Sequence, residues 1–224
     1  MKKYLVLFLS VALGAPLFAQ KNATERINEA AQVLTDIMQT PDKGIPQDLF
    51  EKAECVIVIP NMKKGGFIVG AKYGRGFFSC RKRSGVGWSA PGAVKAEGGS
   101  FGLLIGGAET DVVMLVMNRS GADKLLSSQF TLGGDATAAA GPVGRESSAQ
   151  TDAKMSAEIL SYSRSRGVFG GLALTGGTLR QDDEANEQLY GSSKTNKEII
   201  MGSTASPAAA KPFIAALNRY SSRK

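Results

Sequence analysis

The sequence predicts an α+β fold: a curved, glycine-rich antiparallel β-sheet or barrel with an N-terminal helix and a short C-terminal helix. Three observations predict it. One apolar stripe with helical period stands near the N-terminus, short apolar runs of strand length follow from Cys55 onward, and 27 glycines are scattered among those runs. Glycine at about 12% of the chain exceeds the usual ~7%, and its placement among apolar residues points to bends, bulges and close backbone contacts within sheets. A length of 224 residues suits one domain with short additions, and 43% hydrophobic against 21% charged residues argues for an ordered globular protein.

The first residues, MKKYLVLFLSVALGAPLFAQ, read as a signal peptide over 1–19. Lys2 and Lys3 form the positive end, Tyr4 to Leu13 the apolar core, and Pro16 precedes cleavage at Ala19. The apolar run falls short of the ~20 residues that a membrane span needs. The expected product is exported, periplasmic or secreted, and at most peripheral on a membrane.

Residues 20–54 read as a helical segment. NATERINEAAQVLTDIM (22–38) places Ile27, Ala30, Ala31, Leu34, Ile37 and Met38 on one stripe. The opposite face is net acidic, which favours packing on the domain over lying on an anionic membrane. Pro46 to Ala53 reads as a second short helix. Residues 55–205 read as the β-rich domain, opening with CVIVI (55–59), a continuous apolar run typical of a strand buried on both faces. Pro60-Asn61 is expected to turn the chain, with strands following near 66–73, 75–82, 101–106 and 111–118. Arg119 to Leu126 looks helical, and 130–141 and 156–180 return to strand-like composition. Residues 206–224 carry a closing helix, with Phe213, Ile214 and Leu217 on its inner face. GFIVGAKYGRG (66–76) and GVFGGLALTGG (167–177) share the spacing of their glycines. Positions 66, 70, 72, 74 and 76 share one strand face, so these glycines are read as serving sheet geometry.

Composition removes several chemistries. There is no histidine, hence no imidazole base and no His metal ligand, and two cysteines alone make a transition-metal site improbable. Cys55 and Cys80 are equally compatible with a disulfide, given export, and with two small buried side chains. Gly70, Gly74 and Gly76 fit neither the phosphate-loop nor the dinucleotide spacing, so no cofactor is expected. The carboxylates Glu109 with Asp111, and Asp182, Asp183 and Glu184, sit at a strand start and in an expected polar turn, and no catalytic residue is assigned. The protein is read as a non-enzyme.

Charge is more informative. From Cys55 to Ala96 there is no Asp or Glu, yet Lys63, Lys64, Lys72, Arg75, Arg81, Lys82, Arg83 and Lys95 all fall there. With Phe77, Phe78 and Trp88 as interfacial aromatics, the segment reads as a surface for anionic phospholipid, each basic group near an anionic bilayer contributing ~1 kcal/mol. Nucleic acid would accept the same charge, but export makes it the poorer partner.

Six segments share a further pattern: VIVIPNMKKGGFIVGAKYGRG (56–76), GWSAPG (87–92), GGSFGLLIGGAETDVVMLVMN (98–118), TLGGDATAAAGPVGR (131–145), YSRSRGVFGGLALTGG (162–177) and NEQLYG (186–191). In this order the chain resembles the SYLF domain family. The resemblance implies a lipid-binding module for phosphoinositides or other anionic phospholipids. It also implies actin binding in some relatives, a partner poorly matched to an exported chain. Asp111, Asn186 and Tyr190 fall on family motif positions and read as buried hydrogen-bonding residues. The function expected is adsorption to anionic membrane through Lys63, Lys64, Lys72, Arg75, Arg81, Lys82 and Arg83. The alternative is a periplasmic carrier enclosing a lipid or other apolar ligand in the sheet.

Overall fold

The computed structural model describes residues 22–40, 44–66, 69–84, 86–101, 106–127, 129–143, 157–165, 168–171 and 176–221. The leader read over 1–19 lies outside these residues.

Asn22 caps α1 (Ala23–Met38) through a capping box: Glu25 N donates to Asn22 Oδ1 at 2.8 Å and Asn22 N donates back to Glu25 Oε2 at 3.3 Å. Its apolar stripe (Ile27, Ala30, Leu34, Ile37) is buried against the domain, as the acidic outer face requires. After α2 (Gln47–Lys52) the chain enters the sheet with β1 (Cys55–Gly66), β2 (Val69–Cys80), β3 (Gly92–Phe101) and β4 (Gly106–Val116). Helix α3 (Arg119–Leu125) leads to β5 (Gln129–Thr131), β6 (Ala138–Ala140), β7 (Ile159–Ser165), β8 (Val168–Gly171) and β9 (Gly177–Gln181). Helices α4 (Asp183–Tyr190) and α5 (Asn196–Met201), a single 3-10 turn and α6 (Lys211–Arg219) complete the chain.

The strand order is β5-β9-β3-β2-β1-β4-β7-β6, with β8 also pairing β7. β5 and β6 stand at opposite ends of that order, yet only residues 132–137 join them. Six residues span ~20 Å at most, so the sheet must curl until its ends approach. Leu132 N donates to Gly177 O and Gly133 N to Ala136 O, each at 2.8 Å, holding this junction. The result is a curled half-barrel. One pair, β6 with β7, is parallel, so the sheet is mixed rather than wholly antiparallel.

Both faces are covered. Val56, Val58, Phe77, Val113, Leu115, Leu160 and Tyr162 meet α1, α4 and α6 on the convex side. Cys55, Ile57, Ile59, Phe78, Val112, Met114 and Leu179 fill the concave side. The continuous apolar run of β1 follows from that sandwiching. Cys55 and Cys80 are cross-strand partners and form a disulfide, which resolves the two sequence readings in favour of the bond.

Pro60-Asn61 does not turn the chain. The register of β1 shifts between Ile59 and Met62, a bulge in one long strand, with Asn61 at φ 49°. Gly74 and Gly76 face this bulge across the β1–β2 ladder. A Cβ on Gly76 would lie 2.1 Å from Val58 O, and one on Gly74 2.6 Å from Ile59 Cγ2. These two glycines do serve sheet geometry. The strands expected at 66–73 and 75–82 are one strand, β2. The glycine echo is not a structural repeat: Gly70 and Gly76 lie within β2, whereas Gly171 and Gly177 belong to different strands.

Candidate functional site

The basic segment does not form one patch. Lys72 and Lys82 are ten residues apart along β2 and its exit, ~33 Å at the rise of a strand, so its cations divide between the two ends of the half-barrel.

Several expected lipid contacts are corrected by burial. Arg75 is 7% exposed on the helix-covered face, where its Nη2 donates to Asp182 Oδ1 at 2.7 Å and to Glu184 Oε2 at 3.0 Å. Burial opposes its charge, and the Asp182 hydrogen bond and charge outweigh that, raising its pKa on balance. Arg81, 8% exposed, lies 4.0 Å over the Trp88 ring and donates from Nε to Ala53 O and from Nη2 to Glu51 O. Phe77 and Phe78 are fully buried and Trp88 nearly so. Adjacent aromatics point to opposite faces of a strand, and both faces of β2 carry a core. None of these five can reach a membrane in this fold. Lys82 and Arg83 are exposed, at the disulfide end.

Lys63, Lys64 and Lys72 gather at the other end, beside the β1–β2 hairpin. Lys63 is exposed and has Glu109 directly across from it on β4. Lys64 and Lys72 are half-buried cross-strand partners on the concave face. Like charges directly opposite each other disfavour a sheet, and among the described residues neither ammonium has a carboxylate partner. Burial, and then the charge of Lys72, lowers the pKa of Lys64 below that of an ordinary lysine.

Lys72 stands at the rim of a shallow cleft of about 20 Å³ on the concave side, room for about one water molecule. Its floor is Met62, Met114, Leu132 and Leu179, with Gly98 and Gly177 in the wall. Sequence reasoning missed this floor, because its residues come from three strands and the loop after β5. The only local signal was alternation, which puts Met62 on the same face as Lys64. The arrangement can hold an anion between two ammonium groups above an apolar floor.

The carboxylates are engaged structurally. Asp182 is fully buried in the Arg75 ion pair and also caps α4. Asp111 Oδ2 accepts from Arg164 Nη2 at 2.9 Å and Asp111 Oδ1 from Asn61 N at 3.0 Å, bracing the bulge. Asn186 accepts from Ala93 N at 2.9 Å and donates to Asn196 Oδ1 at 2.9 Å, and Tyr190 donates to Pro91 O at 2.7 Å. Burial raises the Tyr190 pKa. Asp111, Asn186 and Tyr190 are thus hydrogen-bonding residues that tie helices and loops to the sheet.

A family model described as Ysc84, Las17-binding protein actin regulator, matches residues 97–220. An SH3 domain-containing protein of Schizosaccharomyces pombe is 34% identical over 85% of this chain and 46% of its own length. LAS seventeen-binding protein 3 of Saccharomyces cerevisiae is 32% identical over 84% of this chain and 42% of its own. The human SH3 domain-containing YSC84-like protein 1 is 31% identical over 90% of this chain and 60% of its own. The chain therefore spans about half the length of the curated relatives it matches.

Proposed function

The chain belongs to the Ysc84 family of SYLF-domain proteins, and from that premise we propose that it is a non-catalytic module binding anionic lipid at the open end of its half-barrel. The observation that carries this reading is the Lys64–Lys72 pair: two unneutralised ammonium groups facing each other above an apolar cleft. An anionic headgroup relieves their repulsion, and Lys63 adds a third charge at the same end. At ~1 kcal/mol each, three lysines give about 3 kcal/mol, on the order of a hundredfold in partitioning. That supports reversible adsorption. Export belongs to the same proposal. It rests on the leader read over 1–19, and the Cys55–Cys80 bond suits an oxidising compartment.

Flotation with phosphatidylcholine vesicles containing increasing phosphatidylglycerol tests the reading. Bound protein should rise with phosphatidylglycerol, fall with salt and drop sharply in K64E/K72E. Binding unchanged by that double reversal overturns the site.

A second reading, a carrier that retains a lipid chain, rests on the apolar floor of the cleft, which would have to open well beyond its about 20 Å³ to admit one. Native mass spectrometry of the purified protein separates the two, since only a carrier keeps its lipid without vesicles. Las17 binding is a property in the names of relatives about twice as long as this chain, and it is not carried over.

A further inference from the structure

At the disulfide end, about 33 Å from the lysine pair, the half-barrel carries a second and larger recess. It is an open groove of about 340 Å³ between the β1 and β2 ends, α3 and α5. That volume is at the lower end of the range of small-molecule sites. Its lining differs from that of the lysine cleft in carrying both signs of charge: Arg81, Arg83 and Arg119 on one hand, Glu54 and Asp123 on the other. Leu126, Ile200 and Met201 supply an apolar wall, and Met201 is 39% exposed.

These groups are not equivalent. Arg81 is committed to the protein, stacked on Trp88 and bonded to the backbone of Glu51 and Ala53. Arg83, Arg119 and Asp123 are exposed, and no ion pair ties them to one another or to other described residues. A simple anion would meet the arginines but also the Asp123 carboxylate. A molecule bearing a phosphate and an ammonium a few bonds apart satisfies both, the guanidinium fork taking the phosphate and the carboxylate the ammonium. An attached acyl chain would lie along Leu126, Ile200 and Met201.

We propose that this groove is a second binding site, for a zwitterionic phosphoamine amphiphile of the phosphoethanolamine class. Arg83 and Arg119 hold the phosphate, Asp123 the ammonium, and the apolar wall the chain. Arg81 transmits occupancy to Trp88. The site is separate from the lysine pair and does not depend on it.

Trp88 is the protein's one tryptophan, and it lies 4.0 Å under an arginine that lines the groove, so its emission reports occupancy. The experiment titrates the purified full chain with lysophosphatidylethanolamine below its micellar concentration. Lysophosphatidylglycerol and dodecyl maltoside serve as comparison probes. The expected result is a saturable change in Trp88 emission that is strongest with the ethanolamine probe and unaltered in K64E/K72E. It should be lost in R83Q/R119Q, and D123N should weaken binding of the ethanolamine probe several-fold while leaving the glycerol probe unweakened or strengthened. A change of equal size with dodecyl maltoside overturns the proposal, as does one that survives R83Q/R119Q or disappears in K64E/K72E. Absence of any change with the ethanolamine probe overturns it too. Circular dichroism of each variant establishes that the fold is retained. Because K64E/K72E removes only the vesicle site, failure here and failure of vesicle flotation are read independently.

Discussion

Arg75 of β2 and Asp182, the N-cap of α4, form a two-pronged ion pair buried between sheet and helix, although 107 positions separate them in the chain. Lys95 Nζ approaches the same carboxylate at 3.5 Å, and Glu184 supports the guanidinium from the first turn of the same helix. Neutralising one partner leaves the other charged and desolvated, which typically costs about 3–5 kcal/mol. D182N should lower the urea midpoint accordingly. R75Q, where it remains folded, should float on anionic vesicles like the wild type.

The β1 bulge needs the absence of a side chain opposite it. With a Cβ at 2.1 Å from Val58 O, G76A must push β1 and β2 apart. Overpacking of this kind costs about 1–3 kcal/mol and sometimes more, to be read as a fall in thermal midpoint. G99A, where an added Cβ meets nothing within 4 Å, should be close to neutral and serves as the control.

The Cys55–Cys80 bond closes a loop with a sequence separation of 25. The loop-entropy relation gives about 3.5 kcal/mol for such a loop. C55S/C80S, or unfolding in the presence of dithiothreitol, should show a loss near that size by chemical denaturation. An unchanged midpoint would place the stability elsewhere.

Lys64 has a pKa below the ordinary 10.5 through burial and then Lys72. For a lysine lowered on folding, the charged form costs stability at neutral pH. That cost is relieved as pH rises through the folded value towards the unfolded one. Two consequences can be measured. K64M should be at least as stable as the wild type at pH 7, with its advantage shrinking as pH approaches 10.5. Lys64 should also acylate faster than exposed lysines by peptide mapping, and phosphatidylglycerol vesicles should protect it.

Residues with strong local signatures were readable from the chain. CVIVI marked a strand covered on both faces, and the stripe from Ile27 to Met38 marked α1. α4 and α5 were not read, since DEANEQLY and NKEIIM are short and mostly polar, yet their end signals were present. Asp182 precedes α4 and Gly191, in the left-handed region, ends it, while Thr195 and Glu198 form a capping box before Ile199. The basic segment misled for a reason of geometry. Gly74-Arg75-Gly76 reads as open, but Arg75 shares a face with Phe77 that helices cover, and the carboxylates that hold it, Asp182 and Glu184, arrive more than a hundred residues later. Of the candidate site, Lys63, Lys64 and Lys72 were named in advance. Their face and their apolar floor depend on the β1–β2 register and on strands far apart in sequence.

The short link between β5 and β6 also governs the order in which the molecule can assemble. Strands that are neighbours in the chain stand at opposite margins of the sheet, so no hairpin can form between them early. Their partners, β9 and β7, lie inward on the sheet, against β3 and β4. Closure of the seam is therefore expected to come late in folding, once β9 and β7 are in place. Amides of 129–140 should exchange hydrogen through a partial opening that unzips this seam, while those of β1 and β4 wait for the whole domain to unfold.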